Sequence, residues 1–192
     1  VHFIAKINKS INLIKFNQTL KASTHSNVNL VNVVIDYILK NKGKQLRPVL
    51  CLLSARIFSK PNDLTITAAS LIEMIHVATL IHDDVVDDAT TRRGFTSINR
   101  IWKNKVSVLM GDFILSKALI NLVGIKDFEA LDLISQTAEK LSSGEILQIE
   151  KSLTRSMTEK VYYDMINKKT ASLISTSCEL GAITSSKKDN DR

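Results

Sequence analysis

Residues 63–88 read DLTITAASLIEMIHVATLIHDDVVDD, and this stretch decides the fold. It contains no glycine or proline, and its apolar residues recur three and four positions apart. That is helical spacing. The middle, AASLIEMIHVATLI, is too apolar for a surface helix, so other helices have to surround it. The end is of another kind: Asp83, Asp84, Asp87 and Asp88 fall within six residues. Like charges one turn apart on a helix repel by roughly 0.2–0.5 kcal/mol per pair. No fold needs such a cluster, and a cation is expected among the carboxylates.

Helical phase sorts these groups. At about 100° per residue, with Asp83 at zero, Asp87 lies at about 40°, Asp84 at about 100° and His76 at about 20°. Asp83, Asp87, His76 and Thr79 therefore share a face, Asp84 is on its flank, and His82 and Asp88 point to the sides. Magnesium suits this set. It takes oxygen ligands, uses one or two carboxylates, and fills its other positions with water and phosphates. Zinc would want more histidine or cysteine than is present here. Arg92 and Arg93 follow at once in RRG and call for an anion. Metal and polyanion together point to phosphate chemistry.

Outward from this helix, the apolar spacing stays helical. Helices are expected over about 2–22, 28–41, 47–59, 104–122, 128–150 and 157–183, with little strand signal. Gly43 suits a C′ position, Pro48 a first turn, and Asp63 and Asp127 suit N-caps. Ser156 and Glu159 have capping-box spacing. With only 6 Gly and 2 Pro in 192 residues, the chain is all-α and long enough for one domain, 1–192, with a real core. Two further segments carry anion-binding chemistry. GKQLRP places Lys44 and Arg47 in a turn entering a helix, where free backbone N–H groups favour anions. Lys168, Lys169 and Thr170 lie inside the last helix.

Composition sets outer bounds. The chain is 44% apolar and 23% charged, and its net charge is +7. No basic run is interleaved with aromatics, so a nucleic-acid partner is not expected. Cys51 and Cys178 match no zinc or redox spacing and read as small apolar residues in a reducing compartment. Lys6, Asn8, Lys9 and Asn12 interrupt the early apolar residues, so a signal peptide is not expected. No apolar run is expected to reach the roughly 20 residues of a membrane span. A cytoplasmic location follows as an expectation.

GKQLRP, EMIHVATLIHDDVVDDATTRRG, MGDF, GEILQIE and KKTASLI, in this order, resemble the trans-isoprenyl diphosphate synthases, or polyprenyl synthetases. The likeness runs from about residue 28 to 185 and is nearest to the long-chain type. It implies a helical bundle of isoprenoid-synthase type around a central cavity, usually a homodimer. It also implies magnesium-dependent 1′-4 condensation of isopentenyl diphosphate with an allylic diphosphate, farnesyl or geranyl, for quinone side chains. By this resemblance Asp83, Asp84 and Asp87 form the first aspartate-rich motif, with magnesium on Asp83 and Asp87. Lys44, Arg47, His76 and Arg93 would hold isopentenyl diphosphate. Arg92, Lys169, Thr170 and Gln148 would hold the allylic diphosphate. Bulky residues four or five positions before the motif stop short products in this family. Here those positions are the small Thr79 and Ala78, which implies a long product, released with some peripheral membrane contact.

One departure is large. The family has a second aspartate-rich motif on a later helix, and this chain has no second DDxxD. Asp189 and Asp191 sit in a terminal KKDNDR that reads as a loop. The sequence is therefore expected to be the N-terminal part of a synthase, lacking the C-terminal helices. Two rivals remain: a non-catalytic subunit of a heteromeric prenyl synthase, and an HD-type metal phosphohydrolase built on His82-Asp83. The second needs more well-placed histidines than His2 and His25 supply.

Overall fold

The structure, a computed structural model, describes residues 13–186. Helices α1 (Ile14–Ser23), α2 (Asn29–Lys40), α3 (Leu46–Phe58) and α4 (Asp63–Val86) come first. A two-stranded hairpin follows, β1 (Thr91–Arg92) and β2 (Phe95–Thr96). Then come α5 (Ile98–Ile125), α6 (Phe128–Thr154), α7 (Glu159–Ile166), a π-helical turn at Asn167–Ala171, and α8 (Ser172–Ile183). The first part of the expected 2–22 helix, the expected absence of a signal peptide, and Asp189 and Asp191 lie outside the described residues.

Helix α4 is the centre of the bundle. It packs most extensively against α5 and also meets α1, α3 and α8. Its Ala68, Ala69, Leu71, Ile72 and Met74 are almost wholly buried, as an all-round apolar helix requires. Its start lies one residue before the expected cap. Asn62 has extended backbone and accepts a hydrogen bond from Thr65 N, while the Thr65 hydroxyl accepts one from Asn62 N. Asp63 is thus the first helical residue and pairs with Lys15.

Other boundaries also moved. The expected 104–122 helix runs from Ile98 to Ile125, with a kink at Lys103 (φ 71°) that interrupts its first turns. Asp127 caps α6 as expected, accepting from Glu129 N and Ala130 N. Ser156 does not cap α7; its hydroxyl is tied to Thr154, and Thr158 accepts from Val161 N instead. The expected 157–183 helix is broken by the π turn. The RRGFTS stretch forms a hairpin: Arg92 pairs with Phe95, and Arg93 and Gly94 turn between them at φ 54° and 81°. Positive φ at both turn positions matches the right-handed twist of a two-residue hairpin.

Two helices, Asp63–Val86 and Ile98–Ile125, are long and apolar enough by length and composition to cross a membrane. That corrects the expectation of no such run. A helix wrapped by neighbours, as α4 is, needs the same all-round apolar surface.

Candidate active site

The aspartates sit where α4 ends. Asp87 N bonds to Asp83 O at 2.8 Å, Ala89 N to Asp84 O at 2.9 Å, and the Asn99 side chain also donates to Asp84 O at 3.1 Å. The turn carrying the carboxylates is therefore fixed by backbone bonds. Asp83 lines a cavity with Thr79, Leu141, Glu145 and Lys169. Burial first, then the Glu145 charge, pushes its carboxyl up to about 6; Lys169 and Arg92 oppose this, and Asp87 adds to it. Asp84 turns away from this cavity. Its side chain is 4% exposed and is gripped by Arg92, with Nε at 2.7 Å and Nη2 at 2.6 Å from Oδ1. Asp87 is exposed at the C-cap.

Among the described residues, no group of three or more His, Cys, Asp or Glu side chains could hold a metal ion. The donor set is the pair Asp83 and Asp87, one turn apart, and neither is ion-paired to a lysine or arginine. Two unneutralised carboxylates, one of them pushed towards its neutral form, fit a hard cation that completes its shell with water and phosphate.

A second cavity is lined by Gly43, Lys44, Arg47, Glu73, His76 and Arg93. Arg47 donates to His76 Nε2 at 3.1 Å, so that nitrogen carries no proton. Burial, then Arg47, Arg93 and Arg92, holds the His76 imidazole down at about 3. The Arg47 Nε is buried and has no hydrogen-bond partner. A buried donor left unsatisfied on a guanidinium is costly until an acceptor arrives. Gly43 does not close α2, which ends at Lys40 with Asn41 as its cap. Its lack of a side chain serves a close approach instead: a Cβ there would lie 2.4 Å from Arg93 Nη1.

The third element is the π turn. Lys169 Nζ is ion-paired with Glu145 and donates to Gln148 Oε1 at 2.8 Å. Lys168 pairs instead with Asp164 at 3.0 Å, and Thr170 is exposed. Gly144 of α6 makes this crossing possible, since a Cβ there would lie 2.8 Å from Lys168 Cβ.

The structure thus gathers Lys44, Arg47, His76 and Arg93 into one cavity, and Asp83, Thr79 and Lys169, with Gln148 bonded to it, around another. His76 and Asp83 share a face of α4 but serve different cavities. Ala78 is buried in the core, while Thr79 lines the aspartate cavity. The His82 ring meets α5, with Nε2 3.3 Å from Asp112, and also lines the Asp83 cavity. Two carboxylates went unnoticed in the sequence, Glu73 and Glu145. Glu73 was legible as a lone charge in an apolar stretch, three residues before His76 and so on its face. Glu145, in the polar stretch KLSSGEILQIEK, carried no such signal.

Residues 28–192 match the model of the family described as Polyprenyl synthetase. The chain belongs to the polyprenyl synthetase family. It is 35% identical over 167 residues to the octaprenyl diphosphate synthase of Escherichia coli, covering 87% of this chain and 52% of that protein. It is 35% identical over 179 residues to the heptaprenyl diphosphate synthase component 2 of Bacillus subtilis, covering 93% of this chain and 51% of that one. The crystal structure of a polyprenyl synthase from Caulobacter crescentus, complexed with calcium and isoprenyl diphosphate, superposes with a TM-score of 0.88. It shares 30% identity, over 95% of this chain and 55% of the other. The chain therefore spans about half the length of the polyprenyl synthetases it matches.

Proposed function

We propose that this chain carries the diphosphate-binding half of a long-chain all-trans-polyprenyl diphosphate synthase. The observation that carries this reading is the pair of cationic cavities beside one aspartate-bearing helix end. Isopentenyl diphosphate belongs in the cavity of Lys44, Arg47, His76 and Arg93. There the buried Arg47 Nε, without a hydrogen-bond partner among the described residues, gives a free donor, while Glu73 lines the same cavity. The allylic diphosphate belongs with Lys169, Thr170 and Gln148, beside Asp83 and Asp87; Arg92, held by Asp84 outside that cavity, joins them by giving up that partner. Magnesium, when bound to those two carboxylates, neutralises the leaving diphosphate. The arginines and Lys169 bind and orient the two diphosphates so that the isopentenyl double bond meets the allylic C1 as its C–O bond breaks. Burial of α4 excludes water from the reacting carbons. The small Thr79, in the same cavity as Asp83, leaves room for a long tail, as a quinone side chain requires. A cytoplasmic site and a paired second copy complete the reading.

The test is incubation with labelled isopentenyl diphosphate, farnesyl diphosphate and magnesium, followed by extraction and sizing of the product. It is run on this chain and on a chimera completed with the C-terminal half of the Bacillus subtilis relative. An apolar, magnesium-dependent product from the chimera is expected, and no condensation from it would overturn the enzyme reading. The relative named as a component favours a second reading, in which the chain works beside a different subunit. Co-purification with such a partner would support it.

A further inference from the structure

The cations of the two cavities are held differently. Among the described residues, Lys44, Arg47 and Arg93 are in no ion pair. Lys169 is already occupied. Its Nζ meets the Glu145 carboxylate and the Gln148 amide oxygen, both on α6. The pair is partly withdrawn from water, with side chains 26% and 17% exposed, so it is screened less than a surface pair. Both ends are fixed. Glu145 follows Gly144, whose closeness to Lys168 Cβ seats the π turn on α6, and Lys168 itself is engaged with Asp164. A carboxylate and a phosphate oxygen offer an ammonium the same kind of acceptor.

We propose that Glu145 is a positioning residue that acts as a resident stand-in anion for Lys169, held at the mouth of the aspartate cavity until a diphosphate displaces it. This rests on the reading of Lys169 as a diphosphate ligand. Glu145 keeps the lysine extended along α6 and aimed at the cavity it shares with Asp83, and it makes anion binding an exchange of partners. Removing the carboxylate frees Lys169 for the incoming anion.

The test is calorimetric titration with inorganic pyrophosphate, without metal, of the chain carrying Lys44→Ala and Arg93→Ala to silence the other cavity, in four forms: otherwise unchanged, Lys169→Met, Glu145→Gln and the double variant. Lys169→Met should weaken binding about tenfold, and Glu145→Gln should tighten it about three- to tenfold. In the Lys169→Met background, Glu145→Gln should change binding by less than about twofold, because the exchange partner is gone. If Lys169→Met leaves pyrophosphate binding unchanged, the diphosphate reading of Lys169 fails. If Lys169→Met weakens binding but Glu145→Gln tightens it equally in both backgrounds, the carboxylate acts only as a nearby charge and the proposal is overturned. Unchanged or weaker binding in Glu145→Gln overturns it too. Glu145→Asp, with a shorter reach, should fall between the unchanged and Gln forms. It replaces the Gln form if far-ultraviolet circular dichroism shows a loss of helix.

Discussion

His76 is partly buried, lies among guanidinium charges and accepts from Arg47, so a proton on its ring is disfavoured in the fold. Its imidazole stays down at about 3, below the ordinary 6.5, so the unfolded chain takes up the proton first. Stability is therefore lost as pH falls from about 6.5 towards about 3. Asp83, pushed up to about 6, acts in the opposite sense between about 6 and 3.8. Comparing the chain with His76→Gln cancels that second effect. The variant should show a flatter acid limb when urea midpoints are plotted against pH, and an equally steep limb would refute the assignment. Gly43 gives a second prediction of this size. A methyl there meets only the far end of the Arg93 side chain. Gly43→Ala should thus cost less than about 1 kcal/mol of stability while weakening pyrophosphate binding several-fold, as calorimetry would show. The aspartates and His76 of α4 stood out in the sequence because charge in an apolar helix is conspicuous. Glu145 did not, because a glutamate in a polar stretch such as KLSSGEILQIEK looks like any solvated residue.

At the scale of elements, helix starts depend on one side chain reaching one backbone N–H. Asn62 forms a reciprocal cap with Thr65 and also donates to Thr184 O at 2.9 Å, tying the start of α4 to the end of α8. Asn62→Ala should cost about 1–2 kcal/mol in urea unfolding, since both bonds go. Gly144→Ala should cost about 1–3 kcal/mol, because the new methyl presses on Lys168 Cβ, and on Lys169 N 3.3 Å away, rather than on a free side-chain end. The order and type of the long helices could be read from spacing alone. Their ends could not: Asn62 and Asp63, or Ser156 and Thr158, are equally good caps by type, and the choice falls to backbone geometry. The π turn left no sequence mark either, because it follows from the fit of Lys168 and Lys169 over Gly144.

At the scale of the whole molecule, a stripe of α5 is left uncovered by the described residues. Val108, Leu115, Leu119 and Val123 are 41%, 36%, 52% and 71% exposed, and Leu109 and Ile120 flank them at 58% and 64%. An exposed apolar stripe of this extent needs a partner surface. The proposed second copy fits it, and Leu119→Lys with Val123→Lys should convert a dimer to a monomer in light scattering after gel filtration. The unchanged chain eluting as a monomer would count against the pairing. The bundle class was readable from α4, but this stripe was not, since core-facing and partner-facing apolar residues have the same spacing. The hairpin, finally, works as a ruler. Arg92 reaches Asp84, while Arg93, the next residue, lies over Gly43 in the other cavity. One peptide unit therefore fixes the separation of the two grips. Lengthening the turn by a single residue would shift one arginine out of step with the other, so the gap between the Asp84 clamp and the Gly43 contact is set by the covalent chain and not by side-chain flexibility.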